Sequence, residues 1–90
     1  MAWTIEFQRP AERELETLSG ETIRRILRFL HDRVATLEDP RSIGEALRGS
    51  ELGNFWKYRV GDYRIIADID DGAVRILIVR IGNRRDIYRR

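Results

Sequence analysis

Phe55-Trp56-Lys57-Tyr58-Arg59-Val60-Gly61-Asp62-Tyr63-Arg64 is the stretch that decides how this chain folds. Side chains alternate on both sides of Gly61-Asp62, and a short glycine-containing step between alternating runs marks a tight reversal. Asn54 to Val60 is therefore read as a strand, and Tyr63 to Ile69 as its antiparallel partner. Successive side chains of a strand point to opposite faces. Trp56, Tyr58 and Val60 share one face, while Phe55, Lys57 and Arg59 point the other way. On the second strand Tyr63, Ile65, Ala67 and Ile69 share a face, which leaves Arg64 opposite.

Working outward, Asp70-Asp71-Gly72 predicts a second hairpin. The run from Ala73 to Ile81 is nearly continuous in Val, Ile and Leu. Such a run predicts a central strand covered on both faces. Gly82 is expected to break it, leaving a basic tail from Asn83 to Arg90. Upstream, Trp3 to Phe7 alternates as a short strand. Pro10 fits the first position of a helix, where its missing N–H costs nothing, and Ala11, Leu15 and Leu18 then share a face. Ser19-Gly20 ends that helix and caps the next. Ile23, Ile26, Leu27, Leu30, Val34 and Leu37 recur at helical spacing, with Arg24, Arg25, Arg28, Asp32 and Arg33 off the stripe. Asp39-Pro40 is expected to stop this helix, because the residue before proline is driven out of the helical region. A loop follows from Gly44 to Gly49-Ser50. The two helices, joined by a short link, are expected to form an antiparallel hairpin. The resulting prediction is an α+β domain spanning residues 1–90, in the order β-α-α-β-β-β, with a three-stranded antiparallel sheet and a short C-terminal tail.

Composition narrows the chemistry. The chain has 90 residues, no cysteine and one histidine, which excludes disulfides and a cysteine–histidine metal site. Its apolar runs are far too short to span a membrane, and the N-terminus lacks the layout of a signal peptide, so a cytoplasmic protein is expected. Residues 1–45 carry seven arginines against nine carboxylates, a balance of −2. Residues 46–90 carry ten basic residues against six carboxylates, a balance of +4. A basic half suits an anionic partner, nucleic acid above all. His31 falls at the edge of the helical stripe and reads as a boundary residue. Asp68 to Gly72 reads as a hairpin and not as a calcium loop, and Gly61 and Gly82 do not form a phosphate-cradling loop.

Of 17 basic residues, one is lysine: Lys57. Arginine holds its proton at any working pH, whereas lysine gives one up when its surroundings demand it. If the helices cover the apolar face, Lys57, Arg59 and Arg64 gather on the open one, and Arg84 and Tyr88 lie within reach beyond the third strand. Such a cluster suits RNA cleavage by the 2′-hydroxyl of the chain itself. Guanidinium groups bind the non-bridging oxygens as negative charge builds on them, a lysine can relay a proton, and a tyrosine can stack on a base or share in the transfer. The same cluster would also serve plain binding of a phosphate backbone.

Leu47-Arg48-Gly49, then Trp56 to Arg64, then Ile81-Gly82-Asn83-Arg84-Arg85-Asp86-Ile87-Tyr88 are similar, in order and spacing, to the most recognisable blocks of the RelE/ParE superfamily, toxins of type II toxin–antitoxin systems. The resemblance covers essentially the whole chain. It implies a helical hairpin packed on one side of a curved, mainly antiparallel sheet. For RelE-like members it implies cleavage of mRNA in the ribosomal A site, with rRNA as a further contact and no cofactor. The functional positions implied are Lys57, Arg59, Arg64, Arg84 and Tyr88. Lys57 and Arg64 would hold the scissile phosphate, Arg84 would assist the leaving 5′-oxygen, and Tyr88 would orient or stack on a base, while Arg85 would join the RNA-binding set. The partner implied is a RelB-like antitoxin, in a toxin–antitoxin hetero-oligomer. The chain departs from the pattern twice: Arg59 stands where relatives carry lysine, and Asn83 where many carry histidine. With arginine at 59, the proton acceptor is left to Lys57 or Tyr88. The alternative is a ParE-like toxin that inhibits DNA gyrase by binding alone, since a shared fold does not fix function.

Overall fold

Alternation about Gly61 does produce a hairpin, set in a five-stranded sheet. The computed structural model describes residues 2–47 and 55–87. Along the chain lie β1 (Thr4–Phe7), α1 (Arg9–Glu16) and α2 (Gly20–Arg28), the last prolonged by a π turn (Phe29–Val34). A 3₁₀ turn (Pro40–Ile43) follows, then β2 (Glu45–Ala46), β3 (Phe55–Val60), β4 (Tyr63–Asp70) and β5 (Arg75–Asn83). The order across the sheet is β1-β5-β4-β3-β2. β1 runs parallel to β5 and the other pairs are antiparallel. The sheet therefore has two strands more than the three expected as a unit. The N-terminal strand joins it at the β5 edge, and Glu45 and Ala46 pair with Lys57 and Trp56 at the other.

Each helix starts for a local reason. Ser19 has extended backbone and its hydroxyl oxygen accepts a hydrogen bond from the Thr22 N–H at 3.2 Å, as an N-cap should. Pro10 is the second residue of α1, one position later than expected. The helices lay Ala11, Ile26, Leu30 and Val34 on Tyr58, Val60, Ile65, Ala67, Ile76, Ile78 and Ile81. Each fully buried aliphatic side chain stabilises by about 1.5–3 kcal/mol, so this stripe holds α2 to the sheet. Ile23, Leu27 and Leu37 are only half-buried. α1 packs mainly against β5.

Four sequence expectations need correction. The second helix ends before Asp39-Pro40: the Ala35 N–H bonds the Leu30 carbonyl at 2.8 Å, an i→i+5 step, and the Ala35 carbonyl is taken by the N–H of Trp3 at 2.8 Å. That tie to the start of the chain removes the acceptor a further turn would need. Pro40 instead opens the 3₁₀ turn, capped by Asp39, whose carboxylate accepts from the Arg41 N–H. Gly82 does not break β5, which continues to Asn83. A Cβ at Gly82 would lie 3.1 Å from Cδ1 of the buried Ile87, so the glycine admits the returning tail. The second hairpin turns on Asp71 to Val74, and the residue with positive φ (51°) is Val74, not Gly72. Finally, β5 is central, but Leu77 and Val79 on its second face are only half-buried.

β5 also carries a bulge. Ala67 pairs with Ile78 and Ile66 with Arg80, so Val79 is extra. The insertion resets the alternation, which is why Ile76, Ile78 and Ile81 are all buried. Beyond the end of β1 the Ile81 N–H has no strand partner on that side, and Glu14 of α1 accepts it at 2.8 Å while also meeting Arg80 Nε at 3.0 Å.

Candidate functional site

The hairpin register builds the site. Glu45, Lys57, Ile66 and Arg80 form one row across β2 to β5, and Arg59, Arg64 and Gly82 form the next. Lys57, Arg59 and Arg64 thus share the face turned away from the buried Tyr58, Val60 and Ile65, as the alternation predicted. Lys57 is half-buried and meets the exposed Glu45 carboxylate at 3.6 Å. Lys57 and Arg59 line a cavity of about 320 Å³ with Phe29, Arg33, Ile43 and Glu45.

Arg64 folds back on the turn between β3 and β4. Its Nη1 donates to the carbonyl oxygens of Gly61 (3.2 Å) and Tyr63 (3.1 Å). Gly61 makes the turn possible, since its φ is +60° and only glycine reaches that region without cost. Arg84 hangs on the same turn, its N–H donating to the Asp62 carbonyl at 2.8 Å. Arg84 and Arg85 are exposed and line a separate cavity of about 170 Å³ with Asp62 and Asn83. Asn83 organises that corner: its side chain accepts from the Arg85 N–H and its carbonyl from the N–H groups of Asp86 and Ile87. The cations therefore fall into two groups, Lys57 with Arg59 and Arg84 with Arg85; Arg64 faces Arg59 across the β3–β4 pair, and its guanidinium bonds the turn that also takes the Arg84 N–H. Tyr88, like Arg48, Gly49 and Asn54, lies outside the described residues.

Beneath the site, Tyr58 is a fixed post. Its hydroxyl donates to the Pro40 carbonyl at 2.5 Å, and its ring meets Phe29 edge-on, 6.1 Å between centroids. Burial pushes its phenol up to about 12, against the pull of Arg41. Arg41 in turn grips Asp71 with two hydrogen bonds (3.2 and 2.6 Å) and lies 5.9 Å over the Trp56 ring. Its pairing with Asp71 raises the Arg41 pKa and lowers that of Asp71. These contacts seat the 3₁₀ turn, and with it Glu45, beside β3.

Sequence reasoning missed Arg25, Arg28 and Arg33, which join Arg59 around a cavity of about 570 Å³. It also missed Glu45. The spacing placed these arginines off the apolar stripe, but which flank of the helix meets the edge of β3 is a tertiary fact.

Comparison with known proteins gives this fold and site a family. Residues 5–88 match the family model described as ParE toxin of type II toxin–antitoxin system, parDE, and the chain belongs to that family, within the RelE/ParE superfamily of toxins. Toxin RelG of Mycobacterium tuberculosis (strain ATCC 25618 / H37Rv) is 32% identical over 90 residues, covering 100% of both chains. Toxin RelE of the same organism is 33% identical over 79 residues, 88% of this chain and 78% of the relative. Among solved structures, the RelBE2 toxin–antitoxin complex of M. tuberculosis contains a chain of the same fold: TM-score 0.83, 28% identity, 96% of this chain and 95% of that one. The intact Escherichia coli RelBE complex gives a TM-score of 0.74 at 20% identity, covering 91% and 96%.

Proposed function

We propose that this toxin is a ribosome-dependent mRNA endonuclease that cleaves by attack of the substrate's own 2′-hydroxyl. The observation that carries the reading is the set of cations around one hairpin: Lys57, Arg59 and Arg64 on one sheet face, with the Arg84 backbone tied to the Gly61-Asp62 turn. In the proposed step the 2′-oxygen bonds to phosphorus and the bond to the 5′-oxygen breaks, leaving a 2′,3′-cyclic phosphate and a 5′-hydroxyl. The 2′ proton passes to Lys57 in its neutral amine form or to Tyr88 as its phenolate. Arg59 and Arg64 neutralise the non-bridging oxygens as charge gathers there, joined by Lys57 once it carries the proton, and Arg84 stabilises the departing 5′-oxygen until a solvent water protonates it. Preorganised donors of this kind contribute about 2.7–4 kcal/mol each when deleted from comparable sites. Fixed guanidiniums provide that charge without a cofactor. Tyr88 orients or stacks on a base, and Arg85 extends the hold on the RNA.

The partner proposed is a RelB-like antitoxin, in keeping with the RelB–RelE complexes that share this fold. Its acidic segment would cover the same cations and hold the C-terminal tail.

Primer extension on a translated message tests the reading. Cuts in codon register on inducing the toxin, lost with Arg84→Ala in a protein that still melts normally, support it. The family name of the matching model keeps one rival in view, a gyrase inhibitor. Intact message with accumulating gyrase–DNA breaks would establish that rival instead.

A further inference from the structure

We propose that the channel between α2 and the free end of β3 is a second anion-binding surface, which takes the phosphodiester backbone of single-stranded RNA running off the sheet. The inference rests on the ribonuclease reading and extends the site beyond the sheet to the α2-side residues Arg25, Arg28 and Arg33.

The channel is continuous. Its two cavities, about 570 and 320 Å³, share Phe29, Arg33 and Arg59. Five cations line it (Arg25, Arg28, Arg33, Lys57 and Arg59) against two carboxylates, Asp32 and Glu45. It opens where β3 is an edge: β2 pairs only with Trp56 and Lys57, so among the described residues Tyr58 to Val60 has no strand on the side away from β4.

Most of the described arginines, Arg9, Arg13, Arg24, Arg64, Arg84 and Arg85 included, have no carboxylate within 4 Å, and those of the channel are set apart by lining one connected groove. Arg41, Arg75 and Arg80 each have a carboxylate within 4 Å. Among the described residues, no such partner is found for Arg25, Arg28, Arg33 or Arg59. Glu21 and Asp32 stand four residues from Arg25 and Arg28, a spacing that permits ion pairs on a helix, yet neither closes one. A row of cations left without internal counterions is costly by mutual repulsion, and an external polyanion relieves it.

The backbone aims the row. The π turn inserts one residue after Arg28, and turns of this kind recur at functional sites. Arg33, within it, lines both cavities, while Leu30 and Val34 stay buried. Arg25 to Arg33 spans about 12 Å of helix, longer than a single phosphate. Phe29, half-buried and braced by Tyr58, lines both cavities together with Arg33 and Arg59. Arginines interleaved with an aromatic suit single strands, whose bases are free to stack. Because the channel begins at Lys57 and Arg59, RNA held there continues naturally along α2.

The test uses the free toxin and a short, uncleavable 2′-O-methyl oligoribonucleotide, with fluorescence anisotropy read across a salt series. For single strands the slope of log K against log salt is about −0.7 per neutralised phosphate. The triple variant Arg25→Gln/Arg28→Gln/Arg33→Gln should flatten the slope by about 2, at an unchanged melting temperature. Arg33→Gln alone, the milder change, should flatten it by about 0.7. Equal slopes for Arg33→Gln and wild type overturn the proposal, as does a triple variant that loses only its antitoxin. A wild-type chain with no salt-dependent affinity also overturns the proposal, whereas the ribonuclease reading falls only if translated message stays uncut in the primer-extension assay, so the two failures are told apart.

Discussion

Arg59 and Arg64 stand directly opposite each other across β3 and β4. Like charges at facing positions of a sheet destabilise it, by the reverse of the roughly 0.2–1 kcal/mol that favourable pairs contribute. Arg64 softens the repulsion by turning its guanidinium onto the carbonyls of Gly61 and Tyr63. An anion bound between the two side chains would remove it. Arg59→Gln should therefore raise the urea midpoint by the equivalent of about 0.2–1 kcal/mol while weakening RNA binding. A lower midpoint in urea titration would mean that the pair does not repel.

Glu45 is a tethered anion at the same site. It faces Lys57 across the β2–β3 pair, with 3.6 Å between carboxylate and ammonium. Exposed pairs of this kind are worth about 0.2–1 kcal/mol, and an entering phosphate must displace this one. Glu45→Gln should tighten binding of an uncleavable oligoribonucleotide roughly 2–5-fold at low salt, with the advantage fading as salt screens the lost charge. Anisotropy at two ionic strengths checks both halves of the expectation.

Tyr58 carries the seat of the site on one hydroxyl. Tyr58→Phe removes the bond to the Pro40 carbonyl and leaves that acceptor without its donor, at a cost of about 1–3 kcal/mol. The pH dependence has a definite sign. Burial raises the phenol in the folded state to about 12, above its ordinary value of about 10. Its contribution is complete below the ordinary value and is lost as pH rises through the folded one. Wild type should lose stability between those limits more steeply than Tyr58→Phe, as denaturant melts at alkaline pH would record.

Much of this was legible in the chain. Period-two alternation is a strong constraint, because a one-residue slip would expose Tyr58 and Ile65 and bury Lys57 and Arg64. The faces of β3 and β4 follow from that alone, and Ser19 announces α2 by its capping chemistry. Features set by distant contacts were not legible. β2 is two residues long, and its pairing depends on Tyr58 and Arg41 seating the 3₁₀ turn. The end of α2 depends on Trp3. Val74 adopts a positive φ that β-branched residues avoid, held there by hydrogen bonds from its own N–H to the Asp71 carbonyl and from the Thr4 N–H to its carbonyl. At the site, the strand residues were legible and the α2 arginines were not, since helical spacing names an exposed flank without naming its neighbour.

Arg41 and Asp71 join the 3₁₀ turn to the β4–β5 hairpin, and their pairing makes an acid-side prediction. The two hydrogen bonds from Arg41 hold the Asp71 carboxyl below its ordinary range. A carboxyl lowered in the folded state favours folding above its unfolded value of about 3.9. The contribution disappears as pH falls through the lower folded value. Asp71→Asn should therefore lower the melting temperature at neutral pH and flatten its decline below about pH 4. With Asp71 protonated, the wild type converges on the variant at the most acidic point where the protein still folds. Thermal melts of the two proteins across the acid range give the comparison, and parallel curves would mean that the Arg41 contact contributes nothing to stability in solution.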